Sequence, residues 1–295
     1  MKKYNVQKLV LVVLLVLLHA ALVRAQYQKL DSLNGYGLKV YYSNGHGERA
    51  KQMALLSHNA MAFTNKLVNF MPAVTLLVLA PDDWTAYTNF PVYGMPHYTN
   101  DETLVVAAED NALWKSFIPP MGQLPPALAS QVQKVYSEDG KLSMQPFFDL
   151  LALHELGHAY HKQAGLNVQR KWMGELFCNI VLHTYIAEKK PALLPALTVF
   201  PNMVVASGTA GYTFTTLPQF ENHYNEIGSQ HPRNYGWYQS RLHVAAGEIY
   251  DAGGKAVLQK LWVALEAKEQ LNDQQLAEQL SARVHPSLAD VLLKW

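Results

Sequence analysis

Residues 147–158 read Phe147-Phe148-Asp149-Leu150-Leu151-Ala152-Leu153-His154-Glu155-Leu156-Gly157-His158. Pro146 just before this run and Gly165 just beyond it fit the punctuation of a helix start and end. The pattern therefore predicts a helix from about 146 to 163. Each residue of an α-helix turns ~100°, so residues four apart share a face. His154 and His158 can then point at one metal ion. Glu155 is turned aside by one step, near enough to reach a water on that ion without binding it. Zinc lowers the pKa of such a water from about 15.7 towards 7, and a carboxylate can then take its proton. His-Glu-x-x-His on a helix is the metalloprotease pattern. The bland alternative is a pair of solvated surface histidines, and the long apolar run around them argues against it.

A catalytic zinc takes three protein ligands and keeps one position open. The metzincin continuation needs glycine three residues after the second histidine and histidine six after. Those places hold His161 and Ala164, which excludes that branch. The first acidic residue after the motif is Glu175, inside Trp172-Met173-Gly174-Glu175-Leu176-Phe177-Cys178-Asn179. A lone carboxylate in an apolar helix is costly unless it is paired or metal-bound. Glu175 is therefore the candidate third ligand. Asn179, four residues on, shares its face and is placed to accept the ring N–H of a ligand histidine.

Around this centre the periodicity changes along the chain. Strands are expected at 36–42, at Val74–Leu79 and at Thr103–Ala108. Between the first two, Met53, Leu56, Ala60, Phe63, Leu67 and Phe70 mark the apolar face of a helix over 48–70. Four prolines at 118–127 mark a surface connection. Helices are expected at 171–188, 217–227, 236–251, 255–268 and 273–282. This order implies an α+β chain: an N-terminal mixed sheet with helices, the active-site helix, then a helical C-terminal subdomain.

Of the 295 residues, 49% are apolar and 16% charged, enough for a sizeable core and too ordered a composition for a disordered chain. A net charge of +1 gives no electrostatic case for nucleic acid as a partner. Lys2, Lys3 and Lys8 precede an apolar stretch, Leu9 to Val23, of about 15 residues. A bilayer span needs roughly 20. Residues 1–25 therefore read as a secretory signal peptide cleaved before Gln26, with no membrane span afterwards and a secreted or periplasmic product. The mature chain divides into 26–165, carrying the sheet and active-site helix, and 166–295, the helical subdomain. Cys178 is the single cysteine, so no internal disulfide can form. Its place in an apolar helix reads as a small buried side chain.

With His154, Glu155, His158 and Glu175, the chain resembles the gluzincin clan of zinc metallopeptidases. It is most similar to the catalytic domain of the leukotriene-A4-hydrolase/alanyl-aminopeptidase family and its compact bacterial relatives, over roughly residues 36–270. His158 and Glu175 are separated by 16 residues, where that family usually has two more. The resemblance implies a zincin-like fold, Zn2+ held by His154, His158 and Glu175, Glu155 as general base, and a peptide or protein substrate. It also implies an oxyanion donor at Tyr238, which opens a helix ending at Gly253-Gly254, with Tyr235 and then His231 as alternatives. The family's Gly-x-Met-Glu-Asn strand, which holds a substrate amine, is missing. Residues 101–109 occupy its place and resemble the edge strand along which zincins pair an extended substrate.

Two other classes stay open: an inert zincin-fold binding protein, and a zinc hydrolase acting on a non-peptide amide or epoxide. The intact Glu155 argues against the first, because a pure metal site does not need it. The leader reading has a direct check. N-terminal sequencing of material exported by a bacterial host should start at Gln26, whereas a chain still starting at Met1 in the membrane fraction would establish an uncleaved anchor.

Overall fold

The computed structural model describes residues 27–138 and 140–295. The proposed leader, with the cleavage-site residue Gln26, lies outside them. No helix among the described residues is long and apolar enough to cross a membrane.

Five strands form one sheet: β1 (Asp31–Leu33), β2 (Lys39–Tyr42), β3 (Thr75–Leu79), β4 (His97–Tyr98) and β5 (Thr103–Ala107). Their order is β1-β2-β3-β5-β4. The central pairs β2–β3 and β3–β5 are parallel, with Leu77 opposite Val105, and the two outer pairs are antiparallel. Every residue of β3 and β5 is buried. That is why both read as unbroken apolar runs rather than as alternating strands. A separate two-stranded hairpin joins β6 (Ser137–Glu138) to β7 (Lys141–Leu142).

The edge expected at 101–109 is not an edge. β5 lies inside the sheet, covered by the two-residue β4. The turn between them is closed by Asn100, whose side chain accepts from the backbone N–H groups of Glu102 and Thr103. A strand that short, directly after Pro96, carries no periodic signal.

Twelve α-helices are present among the described residues. In the first half they are α1 (Gly47–Val68), α2 (Pro81–Tyr87), α3 (Ala112–Ser116), α4 (Pro126–Tyr136) and α5 (Gln145–Gln163). Then follow α6 (Lys171–Lys189), α7 (Leu194–Ala206), α8 (Leu217–Gln230), α9 (Pro232–Gly253), α10 (Ala256–Leu265), α11 (Asp273–Arg283) and α12 (Pro286–Leu293). The architecture is α+β, with a mixed sheet in the N-terminal half and helix predominating.

α1 buries a face turned slightly from the expected stripe. Met53 and Ala60 are buried as read, but the line continues through Ser57, Met61, Thr64 and Val68, while Leu56, Phe63 and Leu67 are only partly covered. Asn69 takes a left-handed conformation at φ 51 and ends the helix, so Phe70 falls beyond it. α7 is not among the helices expected from the sequence, and Pro195 and Pro201 interrupt its pattern. Pro195 sits in the first turn, where a missing N–H costs nothing. Just before the internal Pro201 the helical ladder is opened by the Tyr136 hydroxyl. It accepts from Phe200 N at 3.2 Å and donates to Ala196 O at 2.9 Å.

α6 is the central element. Every residue from Trp172 to Ile186 is buried. It packs against α5 on one side and against α7, α8 and α9 on others. The apolar core falls into two clusters, one around the sheet and α5, the other among α6 and the C-terminal helices. Residues of α6 belong to both. Asp149 on α5 receives both arms of the Arg49 guanidinium from α1, with Nη1 at 2.7 Å from Oδ2, which fixes α5 to α1.

Candidate metal centre

Polar residues are rare on a fully buried helix, and on α6 they are spaced in register. Glu175, Asn179 and His183 recur every four residues, so they form one stripe. That stripe faces α5 and α9. The two helices α5 and α6 cross closely because of Gly157. A Cβ at Gly157 would lie 2.7 Å from the Cys178 backbone Cα and 3.0 Å from its sulfur. No larger residue fits without moving a helix.

The close crossing brings the sequence-derived ligands together. His154 Nε2 stands 3.1 Å from Glu175 Oε2, and His158 Nε2 stands 3.7 Å from the same oxygen. The two imidazole rings are 5.1 Å apart and nearly perpendicular. His154 is 3% exposed and Glu175 5%, so these groups are largely cut off from water. Each histidine is held from behind. His154 Nδ1 meets Asn179 Oδ1 at 2.7 Å, and His158 Nδ1 meets His161 Nε2 at 3.0 Å. With Nδ1 donating to Asn179, loss of the Nε2 proton now shared with Glu175 would leave the lone pair of His154 on Nε2, aimed at the cluster.

Electrostatics sort the groups into those ready to bind a cation and those that are not. Burial would raise the Glu175 carboxyl, but His158 and His154 outweigh it and hold it well below the usual range. Burial raises Glu155, against the pull of His158 and His154. Burial, and then His158, push His161 down to about 3, so it is neutral. His243 on α9, its ring 5.9 Å from that of His154, is likewise pushed to about 3 by burial.

Cys178 adds a second candidate donor. One ligand atom from each of His154, His158 and Cys178 lies within 4.8 Å of the others, and this group could hold a metal ion. Burial, then the carboxylates of Glu175 and Glu155, raise the Cys178 thiol well above its ordinary range. Two sets therefore share the same histidines. They differ in whether oxygen or sulfur completes them.

No protein-family model, curated protein or solved structure matches the chain. What it does has to follow from the chemistry of this cluster.

Tyr238 stands apart from the cluster. Its hydroxyl donates to the backbone carbonyl of Thr216 at 2.8 Å, and its ring stacks on Trp295. His231 at the α8–α9 junction faces Phe214 and Glu226. The tyrosine that reaches the carboxylate is Tyr224, with Tyr235 behind it. Tyr224 donates to Glu175 Oε1 at 2.6 Å. Tyr235 lies 3.4 Å from the Tyr224 hydroxyl and accepts from Gln239 Nε2 at 2.9 Å. Burial, and then Glu175, raise Tyr235 well above the ordinary range for a phenol. Tyr224 and His243 carry no local sequence signal. His183 does, because it extends the Glu175–Asn179 spacing by one more turn.

The crossing is open to a stability test. Gly157→Ala drives a methyl group into the Cys178 backbone, and overpacking of this kind costs about 1–3 kcal/mol. Gly236, on α9, has nothing within 4 Å of the corresponding position. Gly236→Ala should therefore leave stability unchanged or raise it by up to ~1 kcal/mol. Urea unfolding of the two variants should separate them in that sense, and equal stabilities would mean that the helices can part without cost.

Proposed function

We propose that the protein is a zinc-dependent hydrolase of the gluzincin type, with a zincin-like fold, that cleaves peptide bonds. One observation carries this reading: two histidine Nε2 atoms converge on a single oxygen of a buried carboxylate, Glu175 Oε2. Two imidazoles and one carboxylate are the donor set of a catalytic zinc site. A carboxylate this far from water needs a cationic partner, and a divalent ion fits the need. Glu175 is favoured over Cys178 as third ligand because its Oε2 already stands 3.1 and 3.7 Å from the two Nε2 atoms, a contact that a shared ion would replace.

Bound by His154, His158 and Glu175, zinc would supply Lewis acidity, acidifying a water and polarising a carbonyl. The chain's own groups account for the rest of the reaction. Glu155 accepts a proton from the attacking water and returns it to the leaving amine. Its raised pKa suits both halves of that transfer. Asn179 holds His154 in the tautomer that offers Nε2. Tyr235 takes the role that the resemblance implies for Tyr238, donating its hydroxyl to the oxyanion, because its hydroxyl lies 3.4 Å from that of Tyr224, the phenol hydrogen-bonded to Glu175, and Tyr238 is engaged elsewhere. Export through residues 1–25 belongs to the same proposal.

Purified protein should carry about one zinc per chain, and His154→Ala, His158→Ala and Glu175→Ala should each lower occupancy sharply. Glu155→Gln should keep zinc and fold but hydrolyse a peptide mixture roughly 10²–10⁴-fold more slowly. Tyr235→Phe should lower kcat about 10²–10³-fold, and Tyr238→Phe should not. Undiminished hydrolysis by Glu155→Gln would contradict the mechanism. Zinc binding with no turnover of peptides, amides or epoxides would favour an inert binding protein instead.

A further inference from the structure

The two oxygens of Glu175 have different partners. Oε2 faces His154 and His158, and Oε1 accepts from the Tyr224 hydroxyl at 2.6 Å. Tyr224 reaches it because α8 is fastened to the start of α6. The Glu221 carboxylate accepts from the Lys171 backbone N–H at 2.8 and 3.0 Å, and Lys171 Nζ donates to the Glu221 backbone carbonyl at 2.9 Å. One turn along each helix from that fastening lie Tyr224 and Glu175. Between Glu221 and Tyr224 the helix breaks its regular geometry at His223, with φ −116 and ψ 19. The phenol ring is then clasped edge-on by the fully buried Phe220, at 5.1 Å, with the Lys171 ammonium 5.5 Å from its other side.

The geometry points to Tyr224 as a positioning residue for the third metal ligand. By occupying Oε1, it presents Glu175 to the ion through Oε2 alone and so keeps a coordination place open. This inference rests on the metal reading given above. A phenol–carboxylate bond is charge-assisted and therefore among the stronger hydrogen bonds a side chain makes. Hydrogen bonds behind a metal ligand commonly govern affinity by 10–100-fold.

The test is a thermodynamic cycle read by zinc affinity, measured by chelator competition on the full chain. Tyr224→Phe should weaken zinc binding about 10–100-fold in the parent. In a Glu175→Ala background it should change affinity little, because the carboxylate it positions is gone. Cobalt(II) substituted for zinc gives a second readout. Freed Oε1 should let Glu175 bind through both oxygens, raising the coordination number and weakening the visible absorption of the cobalt protein. Should Tyr224→Phe fail to fold without metal, Glu221→Ala, which removes the acceptor of the Lys171 N–H and loosens α8 from α6, should lower zinc affinity in the same direction. Unchanged affinity and spectrum in Tyr224→Phe, an equal loss in the Glu175→Ala background, or no loss in Glu221→Ala overturns the inference. A parent protein with no zinc affinity overturns the metal centre itself, and the role of Tyr224 with it.

Discussion

Everything at the candidate centre depends on how closely α5 and α6 approach one another. The missing side chain at Gly157 lets the Cys178 backbone come within a distance that no Cβ tolerates. One turn of helix on either side of that contact carries the chemistry. His154 lies three residues before Gly157 and His158 one after, while Glu175 lies three before Cys178 and Asn179 one after. The crossing point thus lies between both pairs and sets all four mutual distances at once. Arg49 ties α5 to α1 through Asp149, eight residues before the crossing, so the helix is held by α1 as well as by α6.

The second constraint is electrostatic. Glu155 and Glu175 are two carboxylates in a region sparing of water, and both feel the same two imidazoles. Their environments push them apart. Glu175, in direct contact with His154 and His158, is held ionised. Glu155, without such contacts, is pushed towards its protonated form by burial. Groups driven in opposite directions within one site suit a ligand and a proton carrier respectively. The polar stripe of α6 has its own cost: Asn179 Nδ2 is buried and has no hydrogen-bond partner among the described residues. The side chain is held there by the bond from its oxygen to His154.

The parts of this centre legible in the sequence are those set by helical spacing. His154 and His158 are four apart, and Glu175 and Asn179 are four apart, so each pair is fixed by local geometry once the helix is recognised. The buried strands β3 and β5 were legible for a similar reason, as short unbroken apolar runs. Features that depend on how one helix lies against another were not. Tyr238 and Tyr235 are three residues apart on α9, and nothing local says which of them turns towards α6. Tyr224 depends on the irregular backbone at His223, which no composition marks. Cys178 read correctly as a buried thiol, yet its nearness to both histidines follows only from the crossing at Gly157. The pattern of α7 is hidden by Pro195, which the first turn tolerates, and by Pro201, before which the hydroxyl of the distant Tyr136 enters the ladder.

In the proposed centre His154, His158 and Glu175 hold one zinc ion and sulfur takes no part. X-ray absorption at the zinc edge of the purified, zinc-loaded protein tests it most directly, because Zn–S distances near 2.3 Å separate from Zn–N and Zn–O distances of about 2.0–2.2 Å. The expected shell is of nitrogen and oxygen alone, with two imidazoles contributing to its outer scattering. A sulfur neighbour that vanishes in Cys178→Ser would contradict it and make Cys178, rather than Glu175, the third ligand.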